Sequence, residues 1–356
     1  MFELEMFPAR DGDCLVVTWG DATSPKRMLI DGGRESAWAE LKKTYKDLPE
    51  PQRTFELLVV THIDADHIAG VLKMLADPNR PLKFKEVWFN AYHHLVEGDW
   101  ETFGPGQGET LSDLLKARHD VWNSRFGGKA VVIEGETLPR RTIEGLEITL
   151  VSPTRAKLQA LAPEWKAWLR SEGLDREQTT TEEPPAIPVI PEGYEVFGPQ
   201  LNVNALAAVP EREDTTAPNG TSIAFIATFG GKRVLLAADA HPGVLESSIR
   251  SLPEDERKFD LVKISHHGSK ANLTRSLLDV FQCDRFAIST DGSRHEHPDP
   301  EAIARLLTSV PGRKYLYFNY RHDEAAVWDD EDIKTDFNYE CAFPADGSMG
   351  RLKITI

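Results

Sequence analysis

A nearly continuous apolar run, Phe55-Glu-Leu-Leu-Val-Val-Thr61, passes directly into His62-Ile-Asp-Ala-Asp-His67. The chain then resumes with Ile68, Val71, Leu72 and Leu75 at helical spacing. The run suits a strand buried on both faces. The local order is strand, polar loop, helix, and four potential cation ligands (His62, Asp64, Asp66 and His67) lie within six residues of the loop. In open α/β layers, ligands gather beyond the carboxyl ends of strands. Imidazole together with carboxylate suits zinc, manganese or iron. One histidine in such a place is usually structural. Four such residues answer no need of a core or a helix cap, and their tight spacing lets alternate side chains face two neighbouring cations.

The same placement recurs along the chain. Asp31 follows Met28-Leu-Ile30, Asp239 follows Val234-Leu-Leu-Ala-Ala238, and His266 and His267 follow Leu261-Val-Lys-Ile264. Any one of these alone reads as a turn or cap residue. Together with the His62 loop they read as one site. His93 and His94 end another apolar stretch, Val87 to Ala91, and a structural role is open to them as well as a place in the site.

Elsewhere the patterns predict strands at 2–7, 14–19, 27–30, 146–151, 260–265, 285–289, 314–319 and 351–356. A hairpin is expected over 221–229 and 233–238, turning at Gly230-Gly231. Helices are expected at 35–48, 110–124, 154–172 and from Asp299-Pro300 onward, where an N-cap aspartate precedes proline at the first position. No repeat recurs at a fixed period. The stretch 153–217 is rich in proline and acidic residues and reads as an irregular insertion: a lid, an interaction surface or a solvated loop. Gly104-Pro-Gly-Gln-Gly108 lacks the Lys-Ser/Thr of a phosphate loop, and Trp165 and Trp168 read as packing residues.

The chain of 356 residues carries a formal charge of −16, which excludes a generic nucleic-acid coat. Between Arg257 and Arg294, however, seven Lys/Arg face four Asp, a window that either receives a phosphate or is ordinary scatter of charge. Three widely spaced cysteines predict no disulfide framework and a reducing compartment. The acidic N-terminus is unlike a signal peptide, and no apolar run approaches the roughly 20 residues of a membrane span. The expectation is a soluble cytoplasmic protein.

The order Asp31, His62-x-Asp64-x-Asp66-His67, Asp239, His266 resembles the metallo-β-lactamase superfamily. The closer likeness is to the hydrolase domain of competence DNA-uptake proteins, the ComEC-like group. It rests on Arg10-Asp-Gly-Asp-Cys14 leading to Leu29-Ile-Asp-Gly-Gly33, on Asp64 where many superfamily members have histidine, on Asn219-Gly-Thr-Ser222 before Leu235-Leu-Ala-Ala-Asp239, and on Lys263-Ile-Ser-His-His-Gly-Ser269 followed by His297-Pro298. It spans roughly residues 2–310 and covers 95–215 poorly.

The resemblance implies an αββα sandwich: two facing mixed sheets with helices outside, in one hydrolase domain over 1–356. It implies that His62 and Asp64 bind a first metal, Asp66 and His67 a second, that Asp239 bridges both, and that His266 or His267 completes a coordination sphere. Asp31 is implied as the carboxylate behind a ligand histidine, with Asn219 and Lys263 near the site. The superfamily's metal-binding histidine before Asp239 has no counterpart here, and Asn219 sits near its place. That leaves a weakly held first metal, or a carboxylate-rich site suited to manganese instead of zinc.

Two cations about 3.5–4 Å apart acidify a shared water for attack on a phosphorus or acyl centre. Asp66 is placed to orient it. His297 is placed to protonate a leaving oxygen or bind phosphate, and a structural histidine before proline is equally open. The expected activity is a phosphodiesterase or nuclease acting on nucleic acid or a nucleotide. The alternatives are hydrolysis of a carbon ester, lactone or amide, and a non-catalytic metal-binding component of a multi-protein, defence-type system that meets its partner through the 153–217 insertion.

Overall fold

The computed structural model describes residues 1–95, 106–116, 121–171, 201–345, 348 and 350–356. Its strands, in chain order, are β1 (Phe2–Met6), β2 (Leu15–Asp21), β3 (Ser24–Ile30), β4 (Thr54–Phe55), β5 (Leu57–Val59), β6 (Lys83–Phe84), β7 (Val87–Trp88), β8 (Arg140–Ile143), β9 (Leu146–Ser152), β10 (Ala224–Phe229), β11 (Lys232–Leu236), β12 (Leu261–Lys263), β13 (Arg285–Ile288), β14 (Lys314–Phe318), β15 (Tyr339–Ala342) and β16 (Leu352–Thr355). One six-stranded sheet runs β16-β1-β2-β3-β5-β7, and an eight-stranded sheet runs β15-β14-β13-β12-β11-β10-β9-β8. Both are mixed. Antiparallel hairpins give way to the parallel pairs β3–β5–β7 in the first and β11–β12–β13–β14–β15 in the second.

The alternation of side chains along each strand builds the layers. Met28, Ile30, Leu57 and Val59 of the first sheet share a core with Leu150, Phe225, Leu236, Leu261 and Ala287 of the second. The intervening Leu29, Leu58 and Val60 point the other way, onto Trp38 and Leu41 of helix Ala37–Tyr45 and Ile68, Val71 and Met74 of helix Ala65–Ala76. On the far side, Ile226, Leu235, Val262, Phe286 and Ile288 pack on Leu245, Ile249, Ile303 and Leu306 from helices Pro242–Arg250 and Pro300–Ser309. Helices, sheet, sheet, helices is the αββα sandwich that the resemblance implies. The run before His62 is continuous because β5 is covered on both faces.

Several expected elements differ. The helix expected over 110–124 is Gly106–Lys116. Val121 and Trp122 instead lie along β7, and Asn123 turns the chain in a left-handed conformation, φ 47°, its side chain bonding Phe89 and Lys129. The helix expected over 154–172 is two, Arg155–Ala160 and Ala162–Ser171; Pro163, which cannot donate to the preceding turn, stands at the second position of the second. Of the 153–217 insertion, residues 172–200 lie outside the described residues, as do Gly104 and Pro105. Within 201–217, Val203 and Ala207 are buried against the second sheet's helices and Asp214 is buried beside the candidate ligands, while 208–213 are exposed. Trp165 is fully buried, as a packing residue should be. All three cysteines are free. Among the described residues no helix is long and apolar enough to cross a membrane.

Candidate metal centre

The candidate ligands converge where β3, β5, β11 and β12 end. Close backbone approach makes this possible. A Cβ on Gly12 would lie 1.8 Å from the Asp66 carbonyl, and one on Gly70 would lie 1.9 Å from that of Gly32. Glycine at these positions lets the loops after β1 and β3 seat against helix Ala65–Ala76. Ala238, His266 and His267 all have positive φ (47°, 47° and 55°). Non-glycine residues adopt this region at a cost that is typical of functional sites. Two successive left-handed residues place both His266 and His267 facing Asp239.

Asp239 Oδ2 is the centre of the cluster. It lies 3.8 Å from His62 Nε2, 3.3 Å from His67 Nε2, 3.7 Å from His266 Nε2 and 3.6 Å from His267 Nε2. Asp64 Oδ2 is 3.5 Å from His62 Nε2. Asp66 Oδ2 is 3.7 Å from His67 Nε2 and 3.4 Å from His267 Nε2. All seven candidates named from the sequence therefore meet. His62 Nε2, His67 Nε2, His267 Nε2 and Asp239 Oδ1 are buried and have no hydrogen-bond partner. Buried polar atoms are normally satisfied, so four clustered atoms without partners fit a cation as their common ligand. The donor atoms of Asp66, His67 and His267 lie within 4.8 Å of one another, as do those of His62, His67 and Asp239.

Outer partners fix the rings. Asp31, wholly buried, accepts from Thr61 N and Thr61 Oγ1 and sits 2.8 Å from His67 Nδ1. Thr61 Oγ1 is in turn 2.9 Å from His62 Nδ1. His267 Nδ1 is 2.8 Å from the Ser289 carbonyl, and His266 Nδ1 is 3.0 Å from Asn272 Oδ1 and 3.6 Å from Asp214 Oδ2. Asn219 Nδ2 donates to Asp214 Oδ2 at 2.7 Å and lies 3.4 Å from His266 Nδ1. Lys263 does not reach the ligands. It is buried and donates to Asp13 Oδ2 at 2.5 Å, and Asp13 Oδ1 lies 3.7 Å from His267 Nδ1.

Charge in the cluster is strongly coupled. Burial opposes a charged His266, but Asp239, Asp214 and Asn272 outweigh it and raise its pKa to about 9. Burial likewise opposes ionisation of Asp66 and Asp239, and the histidines around them more than reverse this, holding both carboxyls well below their usual range. Carboxylates stay charged here and retain protons on neighbouring imidazoles, which a bound cation displaces.

A cavity of about 210 Å³ opens over the cluster, lined by Asp11, Arg34, Asp64, Ala65, Asp66, Asp239, His266, His267, Arg294, His295 and His297. His297 lines this cavity, its ring centroid 5.4 Å from that of His266 and its Nδ1 3.7 Å from Asp299. Most of the basic window from Arg257 to Arg294 does not face this cavity. Lys263 faces Asp13, Lys270 faces Glu301, Arg275 faces Glu211, and Arg257 and Arg285 bond backbone carbonyls; only Arg294 of the window lines this cavity. Arg34, His295, Asp214 and Asn272 escaped the sequence reading, because no pattern marks them; Asp13 lay inside the Arg10–Cys14 motif, but its place behind His267 did not show there.

His94 lies elsewhere, in a short helix at Tyr92–Leu95. Its Nδ1 accepts from Ala91 N, its Nε2 donates to the Gly128 carbonyl, and its ring meets Trp122 edge-on. Burial, aided by His93, lowers its pKa to about 3. Folded His94 stays neutral while the unfolded one titrates near 6.5, so its stabilising effect is full above pH 6.5 and is lost as pH falls toward 3. From pH 7 to pH 5 the wild type should lose about 2 kcal/mol more than His94→Asn in urea unfolding. Equal pH slopes would show that His94 is not held neutral.

No family model and no curated protein matches the sequence. Among solved structures, the chain is similar to a protein from Parabacteroides distasonis described as a metal-dependent hydrolase (13% identity, TM-score 0.38, 96% of this chain and 93% of that one). It is also similar to Zn²⁺-bound PqqB from Methylobacterium extorquens (13%, 0.43, 100% of both) and to the metallo-β-lactamase fold protein YhfI from Bacillus subtilis (11%, 0.37, 99% of both).

Proposed function

We propose that this chain is a metal-dependent hydrolase that holds two divalent cations and cleaves phosphodiesters in a nucleotide or nucleic acid. The carrying observation is Asp239 Oδ2 lying 3.3–3.8 Å from four imidazole Nε2 atoms, several of them buried and unpaired. Asp66, His67 and His267 form one cation position. His62 and Asp64, 3.5 Å apart, would hold the other together with His266, and Asp239 would serve both. In this assignment His266 supplies the imidazole that Asn219 does not. Zinc suits the imidazole-rich set, and manganese is the alternative that Asp64 favours.

When bound, the cations supply Lewis acidity and lower the pKa of water toward neutrality. The protein's own groups do the rest. Asp66, partly exposed to the cavity, orients the attacking water. Burial lowers the His297 pKa, so the ring offers a neutral N–H to a substrate oxygen. Arg34 and Arg294 line the same cavity, and guanidinium groups pair with phosphate oxygens in fixed, bidentate geometry. That lining favours a phosphate-bearing substrate over a neutral carbon ester.

The test joins metal analysis to three assays: a chromogenic phosphodiester, a carboxylic ester and a β-lactam. Wild type should carry two cations per chain and turn over the diester. Asp66→Ala should lose on the order of 10²–10³-fold in kcat, the scale of removing one group that positions charge in the transition state. Turnover of the ester or lactam alone would overturn the phosphodiester reading. A chain that binds no divalent cation would be a scaffold.

A further inference from the structure

Beside the metal cavity lies a second one of about 630 Å³. It is lined by Arg10, Asp11, Arg34, Glu35, Ser36, Ala65, Ala69, Ser293 and Arg294, and it shares Asp11, Arg34, Ala65 and Arg294 with the first. The two therefore adjoin, with the cation ligands on the side of the first. The volume falls within the roughly 300–1,000 Å³ usual for small-ligand sites.

Its charge comes from three separate loops. Arg10 precedes β2, Arg34 follows β3, and Arg294 follows β13. Arg34 is oriented by Asp11, which takes Nε and Nη2 and leaves Nη1 and its two protons for another acceptor. Arg10 is 3.7 Å from Asp291 and largely exposed. Arg294, at the junction of the two cavities, has no recorded partner among the described residues. Asp11 is offset by Arg34, and Glu35 faces Lys73 at 3.7 Å outside this set. Ala65 and Ala69, four apart on helix Ala65–Ala76, form a smooth wall between the arginines. In a protein of net charge −16, three arginines against Asp11 and Glu35 leave this lining locally cationic.

We propose that Arg10, Arg34 and Arg294 form a subsite for a second phosphoryl group of the same substrate, one nucleotide unit from the scissile diester. The inference rests on the phosphodiesterase reading and narrows it: the preferred substrate carries a phosphate beyond the bond that is cut.

Two readouts test it, on wild type and the double variant Arg10→Gln/Arg294→Gln. The first is the ratio of KM values for thymidylyl-thymidine and its 5′-phosphorylated form. Wild type should favour the phosphorylated form by about tenfold, the effect of one well-placed charged contact, and the variant should reduce the ratio to near one. The second is calorimetric binding of pyrophosphate to the full chain freed of metal. The variant should bind about tenfold or more weakly, and the wild-type affinity should fall with salt. Circular dichroism on both proteins checks the fold. If wild type shows no preference between the diesters, or the variant keeps it, the subsite is wrong, even if pyrophosphate binds. If neither diester is hydrolysed yet the variant still loses pyrophosphate binding, the hydrolase reading fails and the anion site stands.

Discussion

Replacing Asp239 with asparagine should abolish tight binding at both cation positions and lower phosphodiester turnover by 10³-fold or more, on the order of or beyond the loss from one oxyanion donor. The reason is geometric. Asp239 Oδ2 faces four imidazoles at 3.3–3.8 Å, two from each half of the proposed pair of positions. An amide is nearly isosteric but carries no charge to hold two dications together. Asp31→Asn and Asp214→Asn form the control. Each acts through a histidine, His67 or His266, and should cost about 10–100-fold in affinity while keeping two cations at saturation. Elemental analysis after dialysis separates the cases. Thermal unfolding gives a readout independent of turnover: a ligand at about 1,000 times its Kd stabilises by about 4 kcal/mol, and Asp239→Asn should lose most of that gain. An Asp239→Asn protein that retains two cations would refute the bridging role.

The parts of this site that were legible in the sequence are those where chemistry is dense or repeated. His62 to His67 offers four ligands on one turn, and Asp31, Asp239 and His266 each follow an apolar strand. The burial of β5 on both faces turned a run of apolar residues into a reliable strand. What stayed hidden is whatever depends on pairing across the fold. Asp13 sits in a stretch that reads as a turn, yet its partner Lys263 is 250 residues away. Asp214 closes a segment that reads as irregular, yet it backs His266. The same blindness made the 257–294 window look basic: counting charges does not reveal that Lys263, Lys270 and Arg275 are each already facing a carboxylate. How His266 and His267 are turned was likewise a question of backbone conformation, and with left-handed φ at both, their Nε2 atoms lie 3.7 and 3.6 Å from Asp239 Oδ2.

Lys263→Met should be the most damaging single change to stability outside the cation ligands. Lys263 is fully buried, its ammonium 2.5 Å from Asp13 Oδ2, and Asp13 is itself 1% exposed. Removing the cation leaves a carboxylate buried without its counter-charge, at a cost of about 3–5 kcal/mol. At roughly 2–4 °C per kcal/mol, the midpoint should fall by on the order of 10 °C. The measurement belongs in chelator, because bound metal would mask the loss by mass action. The double variant Lys263→Met/Asp13→Leu separates two explanations. If the loss comes from the uncompensated charge, removing Asp13 as well should restore most of it, since a buried ion pair is often replaceable by apolar residues. If the double variant is as unstable as the single one, packing and not charge is what Lys263 supplies. Metal affinity then gives a further reading, because Asp13 Oδ1 lies 3.7 Å from His267 Nδ1. The double variant should recover stability without recovering full affinity at the position built from Asp66, His67 and His267. Recovery of both would mean that Asp13 serves the core alone and that His267 is held by the Ser289 carbonyl without it.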